Sequence, residues 1–288
     1  MTATLCTPTR MLTWYGPDGS AISFGSVDGV IGAMGRQIAG MPPVRASVLT
    51  VPLQPGGRWQ QVDHGPRDVV VPVHLIKDRT VIDALMRSLD PTRGTGTLRV
   101  TDSEDGIERD LRCRYIDGLS ITEHLDPQPY WSASLIFRAV SPYWASAEVL
   151  SLVLAPGGSP TFFPIFPLVL GGSELTTSAT VDNTGQAPMW PVWTITGPGS
   201  AVIVENVTTG MSLELDATLA AGETVVIDTR PGAKTVVSSV AGDLFYKLAP
   251  TSSMWSFPVG ASSVALTMTG ATTASKLVGQ WSLQWLSA

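Results

Sequence analysis

The sequence predicts a mainly β protein of two domains with a single helix. Three observations carry that expectation. Short runs alternate apolar and polar residues, Gly and Pro punctuate them, and only one window repeats at helical spacing. The chain has 288 residues, 44% hydrophobic and 15% charged, which is the balance of a core-forming chain rather than a disordered one. Charge usage changes partway. Residues 1–145 hold 14 Lys and Arg against 15 Asp and Glu, whereas 146–288 hold 4 against 9. A boundary near 145–155 follows, and the expected domains are 1–148 and 149–288.

In the first half, 69–76 is a β-branched run bounded by Pro66 and Asp78, and reads as a strand. The one helix is expected over 78–89. Val81, Ile82, Leu85, Met86 and Leu89 recur at helical spacing, and Pro91 forces the exit at Asp90. Thr80 with Asp83 three residues on resembles a capping box. Strands over 97–102 and 108–116 are joined through Ser103-Glu104-Asp105-Gly106, a hairpin turn. Trp131, Ala133, Leu135, Phe137 and Ala139 share one face of a long strand, with Ser132, Ser134, Ile136 and Arg138 on the other. Between Ala33 and Pro66 no period stands out. A stretch that long is often functional, and it reads as an arm reaching a neighbouring subunit.

The second half offers strands at the spacing of a β-sandwich: 193–196, 201–205, 212–215, 224–228, 264–269 and 280–286. In the last, Trp281, Leu283 and Trp285 share a face, and the sequence leaves open whether that strand belongs to the second domain or returns to the first. The linking text APGGSPTFFPIFP (155–167) is rich in Gly and Pro.

Several function classes lose support here. The densest apolar stretch, 162–170, is broken by Pro164 and Pro167, and a spanning helix needs about twenty residues, so no membrane insertion is expected. The first residues show no basic start, apolar run or cleavage site, which argues against a signal peptide. A net charge of −6 leaves no basic footprint for gripping nucleic acid. Cys6 and Cys113 are too few for a disulfide framework or a thiolate metal site, and suit a reducing compartment. Cys113 shares a face with Leu111 and Tyr115 and reads as a small buried hydrophobe.

The three histidines, His64, His74 and His124, lack metal-ligand spacing and read as structural. Asp102, Glu104, Asp105 and Asp110 resemble a calcium loop only superficially. Ile107 and Cys113 stand where its Gly and Glu belong. No nucleophile elbow or phosphate-cradling loop appears, and Asp228-Thr229 and Ser252-Ser253 have no histidine nearby in sequence. No catalytic, cofactor-binding or metal residues are assigned, and no cofactor is expected. Nine tryptophans is a high number. Most read as core or interface, although Trp190 and Trp193 point to opposite sides and keep a sugar-stacking surface open.

The second half also carries a resemblance. The run VDNTGQAPMWPVWTITGPG (181–199) is followed by VIVENVTTGMSLELDATLAAGETVVIDTR (202–230) and MWSFPVGASSVALTMTG (254–270). The order of an Asn-x-Gly turn, the turn at Asn206, Thr208, Thr209 and Gly210, then Leu213 and Leu215, Gly222-Glu223 and Ile227-Asp228-Thr229 resembles the distal tail protein of long-tailed, non-contractile bacteriophages. So does Trp255 followed by Pro258 and Gly260. Where that family often has Asn next, this chain has Ala261, Ser262 and Ser263.

The resemblance implies a tail-tube-like first domain that assembles as a hexameric ring, and a galectin-like β-sandwich decorating its outside. It implies a place at the distal end of the virion tail after synthesis in the bacterial host cytoplasm. The implied partners are other copies of the chain, the tail tube protein, the tape measure protein and the tip or receptor-binding proteins. DNA passes through the lumen without specific binding, and no reaction is catalysed. A ring closes through one head-to-tail interface, so each chain needs two complementary patches. The arginines of the first half (Arg36, Arg45, Arg58, Arg67, Arg87 and Arg93) suit such contacts. Another minor tail or baseplate protein, a carbohydrate-binding adhesin and a cell-wall hydrolase are the competing readings.

Overall fold

Alternation does become strand over most of the chain. The computed structural model describes residues 10–25, 30–32, 38–50, 52–53, 55–76, 78–102, 106–124, 130–155 and 174–288. Two compact units emerge, one of Met1–Ala147 with Gln284–Ala288, the other Glu148–Leu283.

The first unit contains β1 (Arg10–Tyr15), β2 (Ala21–Ser23), β3 (Val30–Gly32), β4 (Val44–Leu49), β5 (Arg58–His64) and β6 (Arg67–Ile76). Helix α1 (Arg79–Leu89) follows, then β7 (Gly96–Asp102), β8 (Glu108–Asp117), β9 (Thr122–His124), β10 (Tyr130–Ala139) and β11 (Trp144–Ser146). The main sheet runs β2-β1-β7-β8-β10-β6-β3. Long β6 and β10 pair over their whole length, Tyr130 opposite Ile76 and Ala139 opposite Arg67. Because side chains alternate, Val69, Val71, Val73, Ala133, Leu135 and Phe137 all enter one core.

Helix α1 covers that face with Ile82, Leu85 and Leu89. Its cap is not the expected box. The helix begins at Arg79, and Asp78 accepts from the Thr80 amide at 2.9 Å and its hydroxyl at 2.8 Å. Asp78 keeps the extended backbone that an N-cap requires, which leaves Thr80 inside the first turn. Trp14 lies against Phe137, ring centres 4.8 Å apart, and its indole N–H reaches Ser88 O at 3.2 Å. That packing needs Gly96, since a Cβ there would sit 2.3 Å from the Trp14 ring.

The second unit contains β12 (Leu150–Leu154), β13 (Glu174–Asn183), β14 (Val192–Thr196), β15 (Ser200–Asn206), β16 (Met211–Leu215), β17 (Thr224–Asp228), β18 (Thr235–Ser238), β19 (Gly242–Asp243), β20 (Gly260–Thr269) and β21 (Lys276–Trp281). They form two sheets, β12-β21-β14-β17-β18-β19 and β13-β20-β15-β16. Both sheets give their inward residues to one core, Trp193, Ile195, Val225 and Leu277 from the first, Val202, Leu213, Val264 and Met268 from the second. This is a β-sandwich. Trp193 is its centre, with Trp255, Phe257 and Trp281 at ring-centre distances of 5.5, 6.1 and 6.4 Å. Gly279 stands opposite Trp193 and makes room for it.

The strand expected over 280–286 does not exist as one piece. β21 ends at Trp281, and a separate β22 (Gln284–Trp285) pairs with β11 in the first unit. Trp281 joins the second core and Trp285 packs against the first. Two cores claim the two tryptophans, so they cannot share a face. Among the described residues no helix is long and apolar enough to cross a membrane.

Candidate functional site

Two strands of the first unit stand apart from its main sheet. Among the described residues β4 and β5 pair only with each other, and every residue of both is exposed except the half-buried His64. Their register gives the hairpin two faces. Val44 opposes His64, Ala46 opposes Val62, and past a register shift Val48 opposes Trp59. The other face pairs Arg45 with Asp63, Ser47 with Gln61 and Leu49 with Arg58. One side is thus apolar and the other mostly polar, yet Trp59 is 65% exposed and Val62 60%. An isolated two-stranded hairpin is at best marginally stable in water. Contiguous exposed apolar surface of this kind marks an interaction site.

The root of this arm is tied to the body. Gly65 N donates to Pro43 O at 2.7 Å, so the two strands are joined where they leave the body. His64 Nδ1 lies 3.0 Å from the Tyr143 hydroxyl, the rings edge to face. Burial, with the Asp63 charge, pushes the Tyr143 hydroxyl above its ordinary pKa. Arg67 donates to Gly40 O at 3.0 Å.

The other residues singled out by sequence turn out to be fasteners. His64 and His74 lie on β5 and β6, and the side chain of His124 is outside the described residues, as is Cys6. Cys113 is buried, and burial pushes its thiol up to about 12. Asp102 pairs with Arg10 at 2.8 Å and Asp110 with Arg99 at 2.7 Å; Glu104 and Asp105 are outside the described residues. Among the described residues no group of His, Cys, Asp or Glu gathers as a metal site would.

Asp228 pairs with Arg230 at 2.6 Å, Thr229 donates to Pro191 O at 2.6 Å, and Ser252 donates to Glu214 O at 3.1 Å. Trp193 is fully buried and cannot stack on a sugar, while Trp190 is half-buried. Of the named arginines, Arg45 and Arg58 lie on the exposed arm. Arg67 is buried, Arg87 bonds Asp83 O within α1 at 3.1 Å, and Arg93 pairs with Asp90 at 3.4 Å. Those three serve their own chain, and Arg36 is outside the described residues.

The motifs that carry the family resemblance are fasteners as well. Asn183 is buried and donates to Ala187 O, Phe257 O and Pro258 O at 3.0 to 3.2 Å, while its oxygen accepts from Gly185 N. It thereby stitches the Asn-x-Gly turn to the Trp-x-x-Pro-x-Gly segment, 74 positions further on. Asn206 accepts from Thr209 N at 3.2 Å, and Thr208 accepts from Ser263 N at 2.9 Å. Glu223 accepts from Ala220 N at 2.9 Å and from the Ser238 hydroxyl, which hold it below the usual carboxylate range.

Sequence reading missed the individual residues of the arm. The alternation Val44-Arg45-Ala46-Ser47-Val48 was the available signal, masked by the surrounding Gly and Pro.

These features define a two-unit β protein whose first unit carries an unpartnered amphipathic arm. Residues 184–285 match the family model described as siphovirus-type tail component, C-terminal domain. That match supports the resemblance to the distal tail proteins of siphoviruses. Among solved structures, the chain is similar to the Dit protein of phage SPP1, described as a hub adsorption apparatus in phages infecting Gram-positive bacteria. That likeness has 14% identity and a TM-score of 0.66 over 96% of this chain and 99% of the other. It is also similar to a chain of the phage P2 baseplate in its activated conformation with calcium, at 9% identity and a TM-score of 0.52, covering 95% and 98% of the two chains. The strontium form of that baseplate gives 8% and 0.51 over the same coverage. No curated protein matches the chain.

Proposed function

We propose that this chain is a structural hub of a siphovirus-type tail tip, and that the arm joins copies of it into a closed hexameric ring. The observation that carries the reading is the β4–β5 hairpin, whose apolar face is exposed among the described residues. Head-to-tail closure needs a projecting element on each copy and a receiving patch on the next. The arm is the projecting element. The family match and the shared fold support a place in the tail.

In this reading the first unit is the tail-tube-like, ring-forming part and the second a galectin-like sandwich on its outside. The ring joins the tail tube protein and the tape measure protein to the tip and receptor-binding proteins. DNA passes without being held, in keeping with a first half of nearly balanced charge. The work is done by shape and assembly, with no catalytic step. Imaging of purified protein tests this. Closed rings with sixfold symmetry are the expected result, and open filaments or lone subunits would refute the ring.

A further inference from the structure

We propose that Gln284–Ala288 is a clasp that closes the root of the arm, so that a chain presents its arm for assembly only once this segment has docked. The inference rests on the arm reading above and names how that same site is controlled. Unit 2 is complete in sequence at Leu283, yet the chain continues and its end belongs to unit 1. There β22 pairs with β11, Trp144 opposite Trp285 and Ala145 opposite Gln284. Arg109, only 8% exposed, stands with its guanidinium carbon 4.9 Å from the centre of the Trp285 ring. Cation–π contacts strengthen when water is excluded in this way. Ala288 is buried in the first core.

The decisive contacts meet the arm. Arg67, 5% exposed, donates from Nη2 to both Leu286 O and Gly40 O. Ser287 Oγ accepts from Gly40 N at 3.0 Å. Gly40 lies on the chain entering the arm and Arg67 on the chain leaving it. One buried guanidinium and one hydroxyl therefore tie entry, exit and terminus together. A buried cation is tolerated only where acceptors surround it. Removing this segment takes the Leu286 carbonyl from Arg67, lets water reach its guanidinium and frees the Gly40 amide.

Hydrogen exchange on dilute, dissociated protein tests the clasp in the full chain, in a chain ending at Leu283, and in Ser287→Ala. The shortened chain is expected to exchange the Gly40 and Gly65 amides at least roughly tenfold faster and to self-associate more weakly. A synthetic peptide of residues 282–288 restores slow exchange. Ser287→Ala keeps the fold and speeds Gly40 by roughly three- to tenfold, the worth of one hydrogen bond. Unchanged exchange across 38–66 in Ser287→Ala and in the shortened chain overturns the clasp. Faster exchange with undiminished self-association overturns its control of assembly. A full chain that never self-associates sinks the arm reading instead, and leaves the exchange result to decide the clasp.

Discussion

Trp59 and Trp193 sit on strands of one chain, the first 65% exposed on the arm and the second fully buried in the sandwich. The sandwich core gives each of its large rings a partner. Trp193, Trp255, Phe257 and Trp281 pack edge to face, and Gly279 clears the space for Trp193. The arm gives Trp59 a single cross-strand neighbour, Val48, which is itself 48% exposed. A closed core satisfies its apolar residues at home. A two-stranded ribbon offers no second layer of its own, and among the described residues its apolar face stays exposed. On the proposed reading, the difference separates the part of the chain that stabilises one copy from the part that joins copies.

The comparison can be broken at either end. Trp193→Ala carries the largest expected effect, a loss of about 3–5 kcal/mol from the second unit, read as a lower denaturant midpoint. A loss below about 1 kcal/mol would mean that the aromatic cluster is not its centre. Asn183→Ala comes next, because it strips the shared donor from three carbonyls. About 1–3 kcal/mol is expected for leaving such buried groups unpaired, and differential scanning calorimetry on the same unit reads it.

Acid sharpens the picture further. The Arg138 guanidinium holds Asp68 below the usual carboxylate range, and the Ser238 hydroxyl with the Ala220 amide does the same for Glu223. Burial works against Asp228, but the hydrogen bonds and charge of Arg230 outweigh it and hold it low as well. Their unfolded values lie near about 4. Their contribution is therefore present in full above that pH and is lost as pH falls through the lower folded values. Circular dichroism should show stability level from neutral pH to about 5 and falling below about 4. The smallest effect belongs to the arm. In dilute, dissociated protein Trp59→Ala is expected to leave the melting temperature unchanged, since exposed substitutions stay within about 0.5 kcal/mol.

Much of this was legible in the residues. The runs at 69–76, 97–102, 108–116 and 224–228 became strands because their alternation matched a sheet with one buried face. Helix α1 followed from its apolar stripe, although Asp78 rather than Thr80 caps it. The arm region was legible only as a long stretch without period, because a ribbon exposed on both faces has no core to impose one. The sequence leaves open a return of the last strand to the first domain, but the division of Trp281 and Trp285 between two cores was not legible. Their spacing suits a single strand, and only the chain's return to β11 separates them.

Sedimentation of the full chain beside Trp59→Asp, Val62→Asp tests the central claim most directly. Both substitutions fall on the exposed face, so the variant should fold as the parent does. The parent is expected to form one closed oligomer of six copies, and the variant to remain monomeric at concentrations at least roughly thirtyfold higher, as the loss of an interface anchor implies. A parent that stays monomeric at every concentration, or a variant that assembles equally well, would contradict the account.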